Sequence, residues 1–379
     1  MDARDDSREP QKGIQLGRSR AESHVVTTMR ILCLDIGSGT QDVLYFDPDQ
    51  ELENCPKFVL PSPARRVAGR IRDLTRAGRD VYLYGMNMGG GFHDALTAHM
   101  EQGCRVAAHP EAALALADDL DKVRAQGITV VESCPRKAAP VHLSDFDPGF
   151  WEGLLSQAGL DYPDLVLAAV QDHGFHPRTS NRRGRFVIWE SLLESSHGAL
   201  EALLFEQAPE EMTRLKALQT CTGGGPVADT GSAALLGALF EPRIEQASQD
   251  HGVCVVNVGN SHTIGFLVFE DRIQGIFEHH TGLLTPQSLW QLLERFRSGE
   301  LSNDEVFESQ GHGCALRDIP PEARGYPLTV ALGPRRSMLS GYEVDFPAPG
   351  GDMMLAGCFG LIKGWKLHQH GLSVQGQAT

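Results

Sequence analysis

Two segments of this chain repeat one pattern, and the repeat constrains the fold more than any other feature. Residues 31–47 read ILCLDIGSGTQDVLYFD, and residues 253–269 read VCVVNVGNSHTIGFLVF. Each begins with four apolar residues, continues through an Asp or Asn, an apolar residue and a glycine, and ends in a second apolar run after a short polar turn. Two apolar runs joined by a glycine-containing turn predict a β-hairpin. The chain therefore reads as two related halves, each built on one hairpin.

The turn of the first hairpin has the composition of a phosphate-binding loop. Gly37 and Gly39 flank Ser38 and let the backbone approach a ligand without a Cβ clash, while turn amides can point at phosphate oxygens. Thr40 adds a hydroxyl donor. Asp35, at the strand end, would repel a phosphate directly but can hold a water of a hydrated Mg²⁺ ion. A plain hairpin with a glycine turn and a capping Asp is the alternative, and the second copy in the same register weakens it.

Composition limits the classes of function. The chain has 379 residues and a formal net charge of −15, and it exceeds one typical domain. Non-specific nucleic-acid binding needs clustered cations, so we expect no nucleic-acid partner. Backbone amides can still hold a small anionic ligand locally. No apolar stretch approaches the roughly 20 residues that span a bilayer, so we expect no membrane partner and a cytoplasmic location.

The cysteines give no sign of a cluster. The eight cysteines are scattered singly, without a C-x-x-C pair or a closely spaced triad that could hold an iron–sulfur cluster. Cys33 and Cys254 lie inside apolar strand runs, so we interpret them as small core residues.

The histidines do not form a recognisable zinc motif either. His173 and His176, and likewise His279 and His280, lack the helical i, i+4 spacing and the carboxylate partner of a zinc site. The spacing therefore predicts histidines at the surface or in contact with a ligand, and no metal centre built on them.

Between the hairpins, strands alternate with helices. Residues 64–131 follow a β–α–β pattern, residues 135–150 are rich in Pro and Asp and predict a loop, and the basic stretch 178–186 predicts an exposed loop. Residues 1–28 are charged and aperiodic, and we expect a disordered extension there.

Three further segments carry candidate ligand contacts. Asp229 opens an Ala/Gly-rich helix, where it can cap the helix or act as a base toward water or a hydroxyl, and the residues leave both roles open. The turn at Gly350 and Gly351 enters a helix with Gly357 along it, and such glycines let a purine ring lie on the backbone. A tight loop and a close helix contact are the alternative. The run Met88–Gly91 is a further phosphate-cradle candidate.

Taken in this order, the motifs resemble the superfamily of acetate and sugar kinases, heat-shock chaperone ATPases and actin. Residues 35–40 resemble its first phosphate loop, residues 257–263 its second, residues 229–235 the connecting helix of the chaperones, and residues 349–360 the adenosine loop. The resemblance implies an α/β fold of two ribonuclease-H-like lobes, the actin-like ATPase fold, with a nucleotide cleft between them. It further implies a first lobe over 29–240 and a second over 241–370.

The resemblance also implies a ligand and a set of site residues. The ligand would be ATP with Mg²⁺, the metal would lie at Asp35, and Asp35 and Asp229 would be the catalytic residues. The residues implied to contact the nucleotide are Gly37, Ser38, Gly39, Thr40, Asn257, Gly259, Ser261, Thr263, Gly350, Gly351, Asp352 and Gly357.

A closer resemblance covers residues 30–365. Residues 229–238, 88–91 and 350–352 are similar to a family of unknown function whose members are often labelled pyruvate formate-lyase activating enzymes. That label implies radical chemistry on a three-cysteine iron–sulfur cluster, and the scattered cysteines do not provide one. We therefore set the label aside.

One departure from the superfamily pattern leaves the activity open. Asn257 stands where the second phosphate loop usually carries Asp, which removes one negative charge from the expected Mg²⁺ environment. The chain could be a Mg²⁺-dependent ATPase or small-molecule phosphotransferase. It could instead be a nucleotide-gated binding module, or an activator ATPase for a partner enzyme, with Cys221 or Cys314 sharing a cluster across a homodimer.

Overall fold

A computed structural model of the chain describes residues 28–376. The extension expected over 1–28 lies outside the described residues except for its last position. Within the described part, no helix is both long enough and apolar enough to cross a membrane.

The elements alternate along the chain. The strands are β1 (Ile31–Ile36), β2 (Thr40–Phe46), β3 (Lys57–Pro61), β4 (Val81–Gly85), β5 (Val106–Ala108), β6 (Thr129–Val130), β7 (Ala139–Leu143), β8 (Leu165–Val170), β9 (Leu204–Phe205), β10 (Val227–Asp229), β11 (Val253–Val258), β12 (His262–Phe269), β13 (Arg272–His280), β14 (Gly313–Leu316) and β15 (Leu328–Leu332). The helices are α1 (Pro63–Arg76), α2 (His93–Glu101), α3 (Pro110–Ala113), α4 (Leu120–Ala125), α5 (Pro148–Gln157), α6 (Asn181–Ser196), α7 (Thr213–Cys221), α8 (Thr230–Ala238), α9 (Pro242–His251), α10 (Pro286–Arg297), α11 (Asn303–Glu308) and α12 (Ala356–Gly376).

The first half of the chain forms a six-stranded sheet in the order β3-β2-β1-β8-β10-β9. β1, β2 and β3 form an antiparallel meander, and β8 and β10 extend it in parallel from the other side of β1. β1 is almost completely buried because α12 covers it, which explains why its sequence is a continuous apolar run rather than an alternating one. A three-strand meander extended by parallel strands is the ribonuclease-H-like arrangement.

The second half repeats that arrangement. Its five-stranded sheet has the order β14-β13-β12-β11-β15, in which β11, β12 and β13 form the antiparallel meander and β15 pairs in parallel with β11. The doubled sequence pattern therefore corresponds to β1–β2 in one sheet and β11–β12 in the other. The chain has the actin-like ATPase fold of two ribonuclease-H-like lobes, and the prediction of the fold class is confirmed.

A third, smaller sheet is inserted into the first lobe. β6, β5, β4 and β7 pair in parallel in that order. The prediction of a loop over 135–150 is wrong, because β7 and the start of α5 occupy it. β7 alternates buried and exposed residues, but its short length and its internal Pro140 concealed the strand. Proline is tolerated there because β7 is at the edge of its sheet.

The prediction of an exposed loop over 178–186 is also wrong. α6 begins at Asn181, and the Arg185 side chain on it is only 2% exposed. Arg185 is buried because carboxylates from distant parts of the chain compensate its charge, which a count of local basic residues does not reveal.

Helices α8 and α12 pack at backbone contact beneath the first sheet. A Cβ added at Gly237 would lie 2.0 Å from the Ala356 carbonyl oxygen, and one at Gly360 would lie 1.9 Å from the Ala233 carbonyl oxygen. α12 also packs against β1, β2 and β8. The glycines therefore set how closely α12 approaches the strand that carries the first hairpin.

We expect Gly360→Ala to destabilise the fold. The added methyl group has no space, and overpacking of this kind costs about 1–3 kcal/mol, more than the helix-propensity gain of about 1 kcal/mol. Gly153→Ala in α5 is the matched control, since no atom lies within 4 Å of its added Cβ. It should be neutral or stabilising. Urea unfolding measures both, and a Gly360→Ala protein as stable as the wild type would contradict the packing argument.

Candidate functional site

A cleft of about 480 Å³ lies between the two large sheets. It is bordered by residues that follow the carboxyl ends of β1, β8 and β10 in the first sheet and of β11 and β15 in the second. In α/β sheets, ligands bind outside the carboxyl ends of the strands. The turns of both repeated hairpins lie among the lining residues.

The two hairpin turns are closed by equivalent backbone hydrogen bonds. In the first, the Gly37 amide donates a hydrogen bond of 2.9 Å to the Thr40 carbonyl; in the second, the Gly259 amide donates one of 2.9 Å to the His262 carbonyl. These four residues occupy equivalent places in the repeated sequence. The repeat in sequence is thus a repeat in structure, down to the hydrogen bond that closes each turn.

The tips of the two turns meet across the cleft. The Ser38 and Ser261 hydroxyl oxygens lie 3.3 Å apart, and a Cβ added at Gly39 would lie 3.6 Å from the Asn260 side-chain nitrogen. Residues more than two hundred positions apart are therefore in contact, and both turns face the same volume.

The first hairpin carries a pair of carboxylates. Asp35 on β1 pairs directly with Asp42 on β2, and both line the cleft. At the equivalent places in the second hairpin, Asn257 pairs with Ile264. All the carboxylate charge at this register therefore belongs to the first hairpin. Sequence reasoning identified Asp35 and missed Asp42, although β-pairing across the predicted turn could have placed them side by side.

The environment of this pair disfavours two negative charges. Burial raises the pKa of Asp42 to about 8, with a further contribution from the neighbouring Asp35, and the buried Asp42 Oδ1 has no hydrogen-bond partner among the described residues. Burial also raises the pKa of Asp35 to about 6, while the Thr230 hydroxyl donates a hydrogen bond to its carboxylate. A bound cation would favour the ionised form of both groups.

Asp229 caps α8 and is fully buried. Its Oδ1 accepts hydrogen bonds from the Gly231 amide at 2.9 Å and from Arg185 Nη2 at 3.2 Å, and its Oδ2 accepts from Arg185 Nη1 at 2.8 Å and from the Asp172 amide at 3.3 Å. The Asp229 carboxylate therefore accepts four hydrogen bonds. Of the two roles that the sequence left open, the structure shows the cap; the role as a base is untested.

Arg185 joins the two lobes at the floor of the cleft. Besides Asp229, which ends β10, its Nε donates a 2.5 Å hydrogen bond to Glu278 on β13 in the other sheet. The Asp229 and Glu278 side chains are each no more than 1% exposed. The side-chain Nε2 of Gln171, just beyond β8, donates a 2.7 Å hydrogen bond to Glu278 Oε1. None of these contacts with Arg185 or Glu278 was predicted from sequence.

Three histidines converge beside this ion-pair network. His173 follows β8, His262 begins β12 and His312 precedes β14, and one ligand atom from each lies within 4.8 Å of the others. Burial lowers the pKa of all three, that of His262 to about 4. The residues come from three distant segments, so no spacing motif could reveal the group.

Most of the site residues predicted from sequence line the cleft, and four of them lie outside its lining. The predicted residues that line the cleft are Asp35, Gly37, Ser38, Gly39, Thr40, Asp229, Asn257, Gly259, Ser261 and Gly357. The predicted residues outside that lining are Thr263, Gly350, Gly351 and Asp352. Thr263 is buried and its hydroxyl lies 3.0 Å from that of Thr281.

The predicted purine segment contacts the cleft through residues other than its first two glycines. A Cβ at Gly350 would lie 2.1 Å from the Phe359 ring, and Asp352 caps the following turn by accepting from the Met354 amide. Met353 and Met354 line the cleft instead. Gly357 lies against Asp35, whose Oδ2 would be 2.0 Å from an added Cβ. Gly357 therefore makes room for the carboxylate.

The run Met88–Gly91 also lines the cleft, supported by an ion pair. The Arg214 guanidinium bonds both oxygens of Asp145, at 2.7 and 3.0 Å, and a Cβ at Gly89 would lie 2.6 Å from it. Arg214 also lines the cleft, so a cation adjoins this glycine run.

The family described as "Putative pyruvate format-lyase activating enzyme (DUF1786)" matches residues 88–338. The chain belongs to this family. No curated protein matches the chain.

The cysteines do not form a cluster site in the described part of the chain. All of them lie in that part, where they are free and no three of them bring ligand atoms together. Cys314 is buried within the fold. The cysteines thus give no support to the radical chemistry that the description implies.

Several solved structures are similar to the chain. A protein described as "a putative N-acetylmannosamine kinase" from Listeria monocytogenes has 11% identity over 90% of this chain and 100% of that one, with a TM-score of 0.33. A ROK hexokinase from Thermus thermophilus has 15% identity over 89% and 97%, with a TM-score of 0.28. TM-scores this low carry no argument about the fold. The fold is identified by the strand order of the two large sheets.

We expect Arg185→Met to destabilise the protein strongly. It leaves Asp229 and Glu278 buried without their cation, and breaking such a network costs about 3–5 kcal/mol. Arg178→Met, at an exposed position in the same basic stretch, should stay within about 0.5 kcal/mol of the wild type. Urea unfolding measures both. Adding Glu278→Gln to Arg185→Met should recover part of the loss, and equal stability of the two single variants would contradict the account.

The raised pKa of Asp42 predicts a pH dependence of stability in metal-free buffer. The ordinary pKa of this carboxyl is 3.8 and the folded one about 8, so the folded state binds more protons and stability falls as pH rises from about 4 to about 8. Asp42→Asn should flatten this part of the curve and be more stable than the wild type at pH 8. The exposed Asp49→Asn is the control. Unchanged curvature in Asp42→Asn would contradict the assignment.

Proposed function

We propose that the chain binds ATP–Mg²⁺ in this cleft, with the phosphates between the two hairpin turns. The observation that carries the proposal is the pair of turns, closed by equivalent hydrogen bonds and meeting at Ser38 and Ser261. Backbone amides in such turns are suited to phosphate oxygens. Two of them on opposite lobes can contact one polyphosphate from both sides.

Magnesium binds on the side of the first hairpin in this proposal. Asp35 and Asp42 supply hard oxygen ligands directly or through waters, as Mg²⁺ prefers. The orphaned Oδ1 of Asp42 supports this position, because a cation or its water would satisfy it. Asn257 and Ile264 bring no charge to the equivalent place on the second lobe, so the two lobes have different roles.

In this proposal the adenine ring lies against the segment that follows β15 and the turn that precedes α12. Gly333 and Pro334 from the first, and Met353 and Met354 from the second, line the cleft. A flat apolar ring fits a surface of methionines and backbone, since methionine adapts to irregular contacts.

A Mg²⁺-dependent ATPase or phosphotransferase of unknown acceptor is the reaction that such a site serves. The second candidate, a nucleotide-gated binding module, is favoured by one observation. Asp229 is the residue expected to act as the base, and its carboxylate already accepts hydrogen bonds from four donors. The carboxylate can therefore accept a proton only if Arg185 moves. Release of phosphate from ATP by the purified chain separates the two: sustained release supports the enzyme, and stoichiometric binding without release supports the module.

We expect Asp35→Asn to weaken Mg²⁺-dependent nucleotide binding by about tenfold or more, equivalent to about 1.4 kcal/mol, because it removes a charge from the metal site. Asn257→Asp should strengthen the Mg²⁺ dependence, since it adds a carboxylate on the second hairpin. Calorimetric titration with ATP, with and without Mg²⁺, measures both.

The exposed Asp121→Asn, in α4, is the control and should bind as the wild type does. The proposal is wrong if the wild type fails to bind ATP with Mg²⁺. It is also wrong about the metal if Asp35→Asn and the wild type show the same Mg²⁺ dependence.

A further inference from the structure

The three converging histidines form a group that nucleotide binding does not explain. The ring centroids of His173, His262 and His312 lie 4.9–5.5 Å apart in all three pairs. Each ring comes from a different segment, and His262 Nδ1 and His312 Nδ1 are buried without a hydrogen-bond partner among the described residues. Buried polar atoms normally have hydrogen-bond or metal partners. Two neighbouring imidazole nitrogens without a partner in the described chain therefore indicate that a ligand binds between them.

The buried carboxylates beside the group already have a partner. Arg185 forms ion pairs with both Asp229 and Glu278, and its donors are engaged with them and with the Asp172 carbonyl. Direct ligation of an ion at this place is therefore left to the imidazoles.

The donor set selects the class of metal. Imidazole nitrogen suits Zn²⁺ and related transition metals, whereas Mg²⁺ requires oxygen ligands. Three histidines with a fourth position open are one of the ligand sets of catalytic zinc sites. Zn–N bonds of about 2.0–2.1 Å in tetrahedral geometry place ligand nitrogens roughly 3.3 Å apart. The three ligand atoms lie within 4.8 Å of one another, so the rings must close by up to about 1.5 Å to reach the spacing of a tetrahedral zinc site.

The open position faces the cleft. His173 and His262 belong to its lining, while His312 is buried behind them. His262 also belongs to the second hairpin, where its carbonyl closes the turn. An ion held here would lie on the second-hairpin side, away from the carboxylate pair on the first.

We propose that His173, His262 and His312 bind one divalent transition-metal ion of the zinc class, whose fourth position is open to water or to an oxygen ligand of a substrate in the cleft. This site is separate from the Mg²⁺ position proposed at Asp35 and Asp42, and it does not rest on nucleotide binding.

The test uses the full chain, stripped of metal and free of nucleotide. One equivalent of Zn²⁺ should remain bound per chain after desalting, and Co²⁺ in its place should give the intense visible absorption bands of a four-coordinate site. Zn²⁺ should also raise the melting temperature, because it binds the folded state. A chain that retains no Zn²⁺ and shows no such Co²⁺ bands would overturn the proposal, whatever its behaviour with ATP.

Variants separate the three ligands from a neighbour. His173→Ala and His262→Ala should each weaken Zn²⁺ binding by more than about a hundredfold, beyond the roughly 10–100-fold that loss of an outer hydrogen-bond partner costs. His280→Ala is the matched control: its ring centroid lies 4.9 Å from that of His262 and 4.7 Å from that of His312, yet it is outside the convergent group. It should bind as the wild type does.

The fold of each variant is verified by circular dichroism and by melting without metal, so that a lost site is distinguished from a lost fold. Should a ligand variant fail to fold, the Co²⁺ spectrum of the wild type and the His280→Ala comparison still decide the proposal. Equal Zn²⁺ affinity in wild type, His173→Ala and His262→Ala would overturn it. A loss in His280→Ala as large as in the ligand variants would overturn the three-ligand assignment.

Discussion

The cleft depends on one buried interaction, the guanidinium of Arg185 held between Asp229 and Glu278. Asp229 ends a strand of the first sheet and Glu278 lies within a strand of the second, so one side chain fixes the two lobes at the floor of the cleft. The contacts with Arg185 also satisfy the hydrogen-bonding capacity of the Asp229 carboxylate and hold Asp229 at the start of α8. Desolvated charges are costly when unpaired, so loss of this network would destabilise the contact between the lobes; Arg185 lines the same cleft as both hairpin turns.

The hairpins of the two lobes share their closing hydrogen bond but differ in their charged residues. The hairpin turns close with the same hydrogen bond, yet the carboxylate pair of Asp35 and Asp42 has only Asn257 and Ile264 as its counterpart. On the other side, His262 brings an imidazole where the first hairpin has Thr40. The repeated hairpins therefore carry different donor atoms, carboxylate oxygens in the first and an imidazole in the second.

The features that sequence could predict are local ones. The hairpins, the glycine turns and the helix after Asp229 depend on neighbouring residues, and the repeat made the two-lobe fold recognisable. Asp42 was missed although pairing across the predicted hairpin places it beside Asp35. Arg185 and the histidine group could not be predicted in the same way, because their partners lie in distant segments. Arg185 was misplaced in an exposed loop for this reason, since its neutralising carboxylates are distant in sequence. The short strand β7, with its proline, was missed because its pattern is too brief to distinguish it from a loop.

Hydrogen exchange of the backbone amides, with and without ATP–Mg²⁺, tests the central claim most directly. If one nucleotide lies between the two turns, amides of residues 37–40 and 259–262 should gain protection together, at the same nucleotide concentration, while the inserted parallel sheet around β5 is unaffected. Protection confined to one hairpin, or absent from both at saturating nucleotide, would contradict the claim that the paired turns form a single phosphate site.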